Sequence, residues 1–383
     1  MDPIDHLLAW ADVKGIVLNG IRPRVLPGRG IGILATRDLK ANETILTVPS
    51  NALRTLDNTS KSITEALQGA SVHAILATAL CLDFHDTPDD FAIWKAVFPS
   101  LQDIITSMPL CWPQDLVALL PPKAQTLLSK QSAKFDKDWS VVSSAAASLP
   151  ASITRPQFLY AWLLVNTRTF YHTTPATKAK LPKEDHMVLQ PVADLFNHSP
   201  DGCSVAFGHK GFQITTTHAH KAGDELFIRY GSHSNDFLLV EYGFTIPSPE
   251  NPFDETALDP YLCPRFTPAQ KELLEEEGFW TGYMLDSQTA CYRTQTALRL
   301  LCLPEWQWRA VLDGQRDEDE DGPLVDAELL KLLRKYEKDA RATVTEIDQL
   351  DKVGEDESRR LLRERWIEIR QLIDTNAARL SQQ

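Results

Sequence analysis

No stretch of this 383-residue chain holds the roughly 18 apolar residues in a row that a membrane span requires. The first six residues, Met1-Asp2-Pro3-Ile4-Asp5-His6, lack the basic start and apolar run of a secretory signal, so secretion is not expected. Cysteine is sparse. The six present (Cys81, Cys111, Cys203, Cys263, Cys291 and Cys302) are widely spaced and form no C-x-x-C pair, which argues against a zinc cluster and for reduced thiols in the cytosol or nucleus. In that setting the acceptor-like triplets Asn58-Thr59-Ser60 and Asn197-His198-Ser199 go unglycosylated. Positive charge is also short: 39 Lys and Arg face 52 Asp and Glu, a net −13. A general nucleic-acid binder with a basic face is therefore not expected, while a basic protein partner stays open. No G-x-S-x-G elbow and no Gly-Lys-Ser/Thr phosphate loop occurs. His218-Ala219-His220 puts two imidazoles on one strand face with no third ligand nearby, so no metal is expected.

With 43% hydrophobic and 24% charged residues, the chain reads as globular and long enough for two or three domains. Residues 15–54 read as short strands: Ile31, Ile33 and Ala35 alternate with Gly32 and Leu34, and Ile45 to Val48 follows a turn at Lys40-Ala41-Asn42-Glu43. Basic residues gather here (Lys14, Arg22, Arg24, Arg29, Arg37, Lys40), as a solvated strand face would allow. Residues 55–187 read as helical, with Ile75, Ala79 and Leu82 on one face and a capping box at Thr154-Arg155-Pro156-Gln157. Strand character returns from Val188 to Phe244. Beyond Pro260 the chain is expected to be helical to its end. Leu329, Leu333, Tyr336, Ala340, Val344 and Ile347 form one apolar face, and Leu362, Trp366, Ile369, Ile373 and Leu380 another. Asp317 to Asp321, with Gly322-Pro323, reads as a solvated loop.

Three clusters could carry chemistry. Pro27-Gly28-Arg29-Gly30-Ile31-Gly32 is a glycine-rich turn where backbone can approach a flat ligand, although alone an ordinary hairpin explains it. Asp194-Leu195-Phe196-Asn197-His198-Ser199 ends an apolar stretch in hydrogen-bonding groups. Tyr230-Gly231 and Tyr242-Gly243-Phe244 flank a short polar helix; their rings could equally be core with hydroxyls at its rim.

In this order the clusters resemble the SET-domain protein methyltransferases, and the helical insertion and tail resemble the RuBisCO large-subunit methyltransferase-like branch. The resemblance implies an α+β fold: small β-sheets with a pseudoknot over 1–54 and 188–259, a helical insertion over 55–187, and an all-helical substrate-binding domain over 260–383. It implies S-adenosylmethionine as cofactor and a lysine side chain of a non-histone protein, such as a ribosomal protein or translation factor, as methyl acceptor. Pro27, Gly28 and Arg29 would hold the cofactor through backbone, Arg168 its carboxylate, and Asn197 and His198 its adenosine, with Asp194 also placed at the site. Tyr242, Gly243 and Phe244 would complete the wall. Tyr230 would be the catalytic residue, with Asp194, Phe170 and Tyr242 lining the substrate channel. Two positions depart from the family pattern: Pro27, where many relatives carry glutamate, and His233, where lysine or arginine is usual. A monomer in cytoplasm or nucleus is expected, without metal, membrane or direct nucleic-acid contact. Histidine N-methylation and a catalytically silent SET-like binding module are the alternatives.

Overall fold

The computed structural model describes residues 2–85, 88–173, 175–208 and 211–382. The chain forms two compact units, residues 1–104 with 130–232, and residues 105–129 with 233–383.

The first unit holds β1 (Val17–Leu18), β2 (Ile21–Leu26), β3 (Gly30–Ala35), β4 (Thr44–Val48), β5 (Thr169–Tyr171), β6 (Met187–Leu189), β7 (Asn197–Gly208), β8 (Gly211–Thr215) and β9 (Glu225–Ile228). Seven of them form one sheet in the order β1-β4-β8-β7-β9-β3-β2, while β5 and β6 pair separately. The β2–β3 hairpin runs from Ile21 opposite Ala35 to Leu26 opposite Gly30, and buries Ile33 and Ala35 as the alternation requires. β7 lies parallel to β9 with an unusual register. His198 and Cys203 both align with Ile228, so residues 199–202 leave the strand and return to the same partner. This is the knot.

The helix Arg155–Arg168 opens on the expected capping box, with the Thr154 amide donating to Gln157 Oε1 at 2.9 Å. It packs against the helix Val72–His85. That helix corrects the one-face expectation, because it is buried from Val72 through Thr78 and again at Leu80 and Cys81, whereas Ala79 and Leu82 are only half-buried. A helix wrapped by neighbours has no polar side for periodicity to reveal. The helix Pro3–Val13, capped by Asp2, was not apparent from the sequence pattern.

In the second unit the helices Gly322–Gln349 and Asp356–Leu380 pack together, and all the apolar residues expected on their faces are buried. The tail is not helical throughout, however: β10 (Glu255–Ala257) pairs antiparallel with β11 (Met284–Asp286). Three residues are too few to display a period of two. The acidic run also differs from a plain loop. Asp321 is 2% exposed and receives two hydrogen bonds from Arg316, at 2.8 and 3.0 Å, and Gly322-Pro323 opens the long helix.

Arg365, 0% exposed, ties this unit together. Its Nε donates to Asp236 at 2.7 Å, a terminal nitrogen to Asp254 at 2.8 Å, and the other to the Glu255 carbonyl at 3.1 Å. Glu368 accepts from Thr245 at 2.7 Å and from Asn235 at 2.9 Å. Three buried carboxyl groups thus surround one guanidinium, and burial pushes Glu368 up to about 7 against the opposing pull of Arg365. Burial raises Asp236 as well. A carboxyl group with a raised pKa binds its proton in the folded state where the unfolded chain has released it. Its contribution is therefore complete below the ordinary value of 4.5 and is lost as pH climbs through about 7. Wild-type protein should lose about 2 kcal/mol of stability between pH 5 and pH 8. Glu368→Gln, which keeps the shape, should remove most of that slope; denaturant melts at both pH values check it.

Candidate cofactor and active site

The site of the first unit is assembled from strand ends, a helix end and the knot. Pro27, Gly28 and Arg29 form the exposed turn between β2 and β3. Gly28 and Gly30 adopt φ of +73° and +71°, and a Cβ at either would meet nothing within 4 Å. The turn therefore offers bare backbone to open space, which suits a flat ligand held by main-chain groups. Arg29 itself forms an ion pair with Glu225 at 2.9 Å, and Glu225 also accepts from Asn197 Nδ2 at 2.8 Å. One carboxylate thereby binds the turn to the start of β7.

His198 is the hinge of the knot. Its Nδ1 lies 3.0 Å from the Tyr230 amide nitrogen, which donates to it, and 3.3 Å from the Ile228 carbonyl. The Tyr230 ring stacks on His198 with centroids 5.0 Å apart, and its hydroxyl donates to the Phe196 carbonyl at 2.6 Å. A phenolic oxygen that donates its hydrogen still carries lone pairs, so it is of the kind that can also accept from an amine. Tyr230 is thus fixed at its backbone, its ring and its hydroxyl.

Arg168 ends the helix Arg155–Arg168, where a cation complements the helix dipole. One terminal nitrogen donates to the Asp194 carbonyl at 2.7 Å and lies 3.6 Å from its carboxylate. Its Nε is buried without a hydrogen-bond partner among the described residues. Such an unspent donor on a fixed guanidinium fits an incoming carboxylate. The Asp194 side chain is 0% exposed. Burial pushes it up to about 6, opposed by Arg168 and by Trp94, whose Nε1 donates to it at 3.1 Å. Just before it, Val192 holds φ +73°, a strained value for a β-branched residue. Phe170, on β5, is half-buried and packs edge-on against Phe212 at 5.0 Å.

Tyr242, Gly243 and Phe244 belong to the second unit. Gly243 caps the helix Asn235–Tyr242, donating to the Leu239 carbonyl at 3.1 Å, and so turns the chain between the two rings. Tyr242 and Phe244 lie 6.3 Å apart, in an aromatic group with Phe237 and His233. Burial pushes the Tyr242 phenol up to about 12. Trp94 and Glu225 escaped the sequence reading. Trp94 sits in an apolar run that reads as core, and Glu225 at the start of a strand that reads as surface. Among the described residues no group of three or more His, Cys, Asp or Glu could hold a metal ion, and no helix is long and apolar enough to cross a membrane.

A parallel, bulged β7–β9 pair with a histidine on β7 and a tyrosine just beyond β9, together with a glycine turn and a helix-end arginine, defines a class. The SET-domain family matches residues 30–231, more than half of the chain, and the chain belongs to that family. Residues 255–377 match the C-terminal domain of ribosomal lysine N-methyltransferase 2. Among individual relatives, ribosomal lysine N-methyltransferase set11 of Schizosaccharomyces pombe is 27% identical over 78% of this chain and 74% of its own length. SET domain-containing protein 4 of Mus musculus is also 27% identical, over 81% and 75%. The solved structure of Rubisco LSMT bound to AdoMet shares the fold, with a TM-score of 0.67 at 16% identity, covering 100% of this chain and 92% of that one.

Proposed function

We propose that this chain is an S-adenosylmethionine-dependent protein-lysine N-methyltransferase. The observation that carries this reading is Tyr230, held by His198 and the Phe196 carbonyl with its hydroxyl oxygen able to accept. Arg168, with its unspent Nε, takes the cofactor's carboxylate, and the turn at Pro27, Gly28 and Arg29 takes its nucleoside through backbone, with Asn197 and His198 beside it. When bound, the cofactor supplies an activated methyl group on a sulfonium. The protein's own work is alignment. A lysine amine reacts only when neutral, and an apolar channel beside a cation favours that form. Tyr230 then accepts one amine hydrogen and points the lone pair along the displacement axis. Phe170 and Asp194 line the substrate's approach, and aromatic walls favour methylammonium products.

The relatives named as ribosomal lysine N-methyltransferases support a ribosomal or other translation protein as substrate. The six free cysteines suit a reducing cytoplasm or nucleus, and residues 260–383 are assigned to partner recognition. The test is incubation of the full chain with labelled S-adenosylmethionine and cell lysate, then mass spectrometry of the labelled protein. Methyl-lysine supports the reading; methyl-histidine or no transfer overturns it. Arg168→Ala should weaken S-adenosylmethionine binding at least about tenfold by calorimetry, because a charge-assisted contact is lost.

A further inference from the structure

We propose that Trp94, acting through Asp194, fixes the orientation of Arg168 and thereby the affinity for the carboxylate of the cofactor's methionine moiety. Trp94 lies in the helix Asp89–Lys95, within the helical insertion and outside every motif that marks the site. The proposal rests on the functional reading above and adds a positioning residue to it.

The indole is 2% exposed, and its N–H is spent on Asp194 Oδ2. A buried indole N–H needs an acceptor somewhere, so that bond alone would be simple satisfaction. What the acceptor does next is the point. Asp194 holds Arg168 twice, with its carbonyl at 2.7 Å and with the same Oδ2 at 3.6 Å from the same terminal nitrogen. The guanidinium is planar, so pinning that nitrogen also sets where Nε points. Nε has no partner among the described residues. Trp94 also shapes the surroundings: its ring packs 4.9 Å from Phe98, and the Arg168 guanidinium lies 5.9 Å from the Phe98 ring. Arg54 stacks 5.6 Å from the indole, so the ring has little room to turn. Removing the indole N–H leaves Oδ2 with one donor fewer in a buried place, where its pKa is already pushed up to about 6. Asp194 then becomes a weaker anchor for Arg168.

The test separates orientation from general damage by using two ligands. S-adenosylhomocysteine carries the carboxylate; 5′-methylthioadenosine carries a similar nucleoside thioether without it. By calorimetry, Trp94→Phe should weaken S-adenosylhomocysteine about tenfold and change 5′-methylthioadenosine less than about twofold. In the Arg168→Ala background the same substitution should have no further effect on S-adenosylhomocysteine, as expected for residues acting through one contact. Asp194→Asn should show the same ligand split, which covers the case in which Trp94→Phe fails to fold. Equal losses on both ligands, or full additivity with Arg168→Ala, would overturn the positioning role alone. Wild-type protein that binds no S-adenosylhomocysteine would overturn the functional reading and this role with it.

Discussion

Tyr230→Phe should lower the turnover of methyl transfer about 100-fold or more, the scale seen when one preorganised hydrogen-bonding group is removed from an active site. Cofactor affinity should change less than about twofold. The substitution keeps the ring stacked on His198 and keeps the backbone N–H donated to His198 Nδ1, so the knot stays intact. Only the hydroxyl goes, and with it the oxygen that aligns the amine. The Phe196 carbonyl loses a donor at 2.6 Å, at a cost of about 1 kcal/mol in stability. Single-turnover and steady-state rates at saturating protein substrate decide the matter. Full turnover would make the tyrosine a structural element of the knot.

Gly202→Ala should destabilise the first unit by about 3 kcal/mol, the upper end of the cost of overfilling a packed site. In a unit of this size that lowers its melting temperature by roughly 6–12 °C. The excursion at 199–202 brings Gly202 back against β9. A Cβ there would lie 2.5 Å from the Ile228 carbonyl carbon and 2.7 Å from the Arg229 nitrogen. Both atoms are backbone, so no side chain can turn aside. Tyr230 follows directly, and the displaced strand should carry it away from His198, so activity should fall well before the protein unfolds. Scanning calorimetry with a parallel activity assay checks both effects. An unchanged melting temperature would mean that the two segments do not cross so closely.

Much of the site was legible because its elements are local in sequence. The glycine turn, Asp194 through Ser199 and the two tyrosine–glycine pairs are continuous strings whose order is itself informative. Arg168 was singled out only by the resemblance, as the arginine closing the last helix of the insertion, whose start the capping box at Thr154 marks. What escaped was the bonding between distant segments. Glu225 lies nearly two hundred residues beyond Arg29, and nothing at either position announces the pair. Trp94 reads as core because a buried indole and a positioning indole have the same neighbours in sequence. The faces of the long C-terminal helices were plain, since each has one wet and one dry side. The helix Val72–His85, dry on nearly every side, and the three-residue strands β10 and β11 carried no period to read.

Arg365 bears on how this protein could be taken apart. It stands near the end of the chain, yet its partners Asp236 and Asp254 lie on either side of Tyr242 and Phe244. A fragment cut just before the helix Asp356–Leu380 would keep those two carboxylates and lose their only guanidinium among the described residues. An uncompensated buried charge costs about 3–5 kcal/mol, enough to open the segment that holds both rings. The helical tail is therefore not an interchangeable adaptor that could be traded between relatives to redirect specificity. A graft would have to carry Asp236, Asp254, Arg365 and Glu368 as one inherited set, with its seam placed before His233.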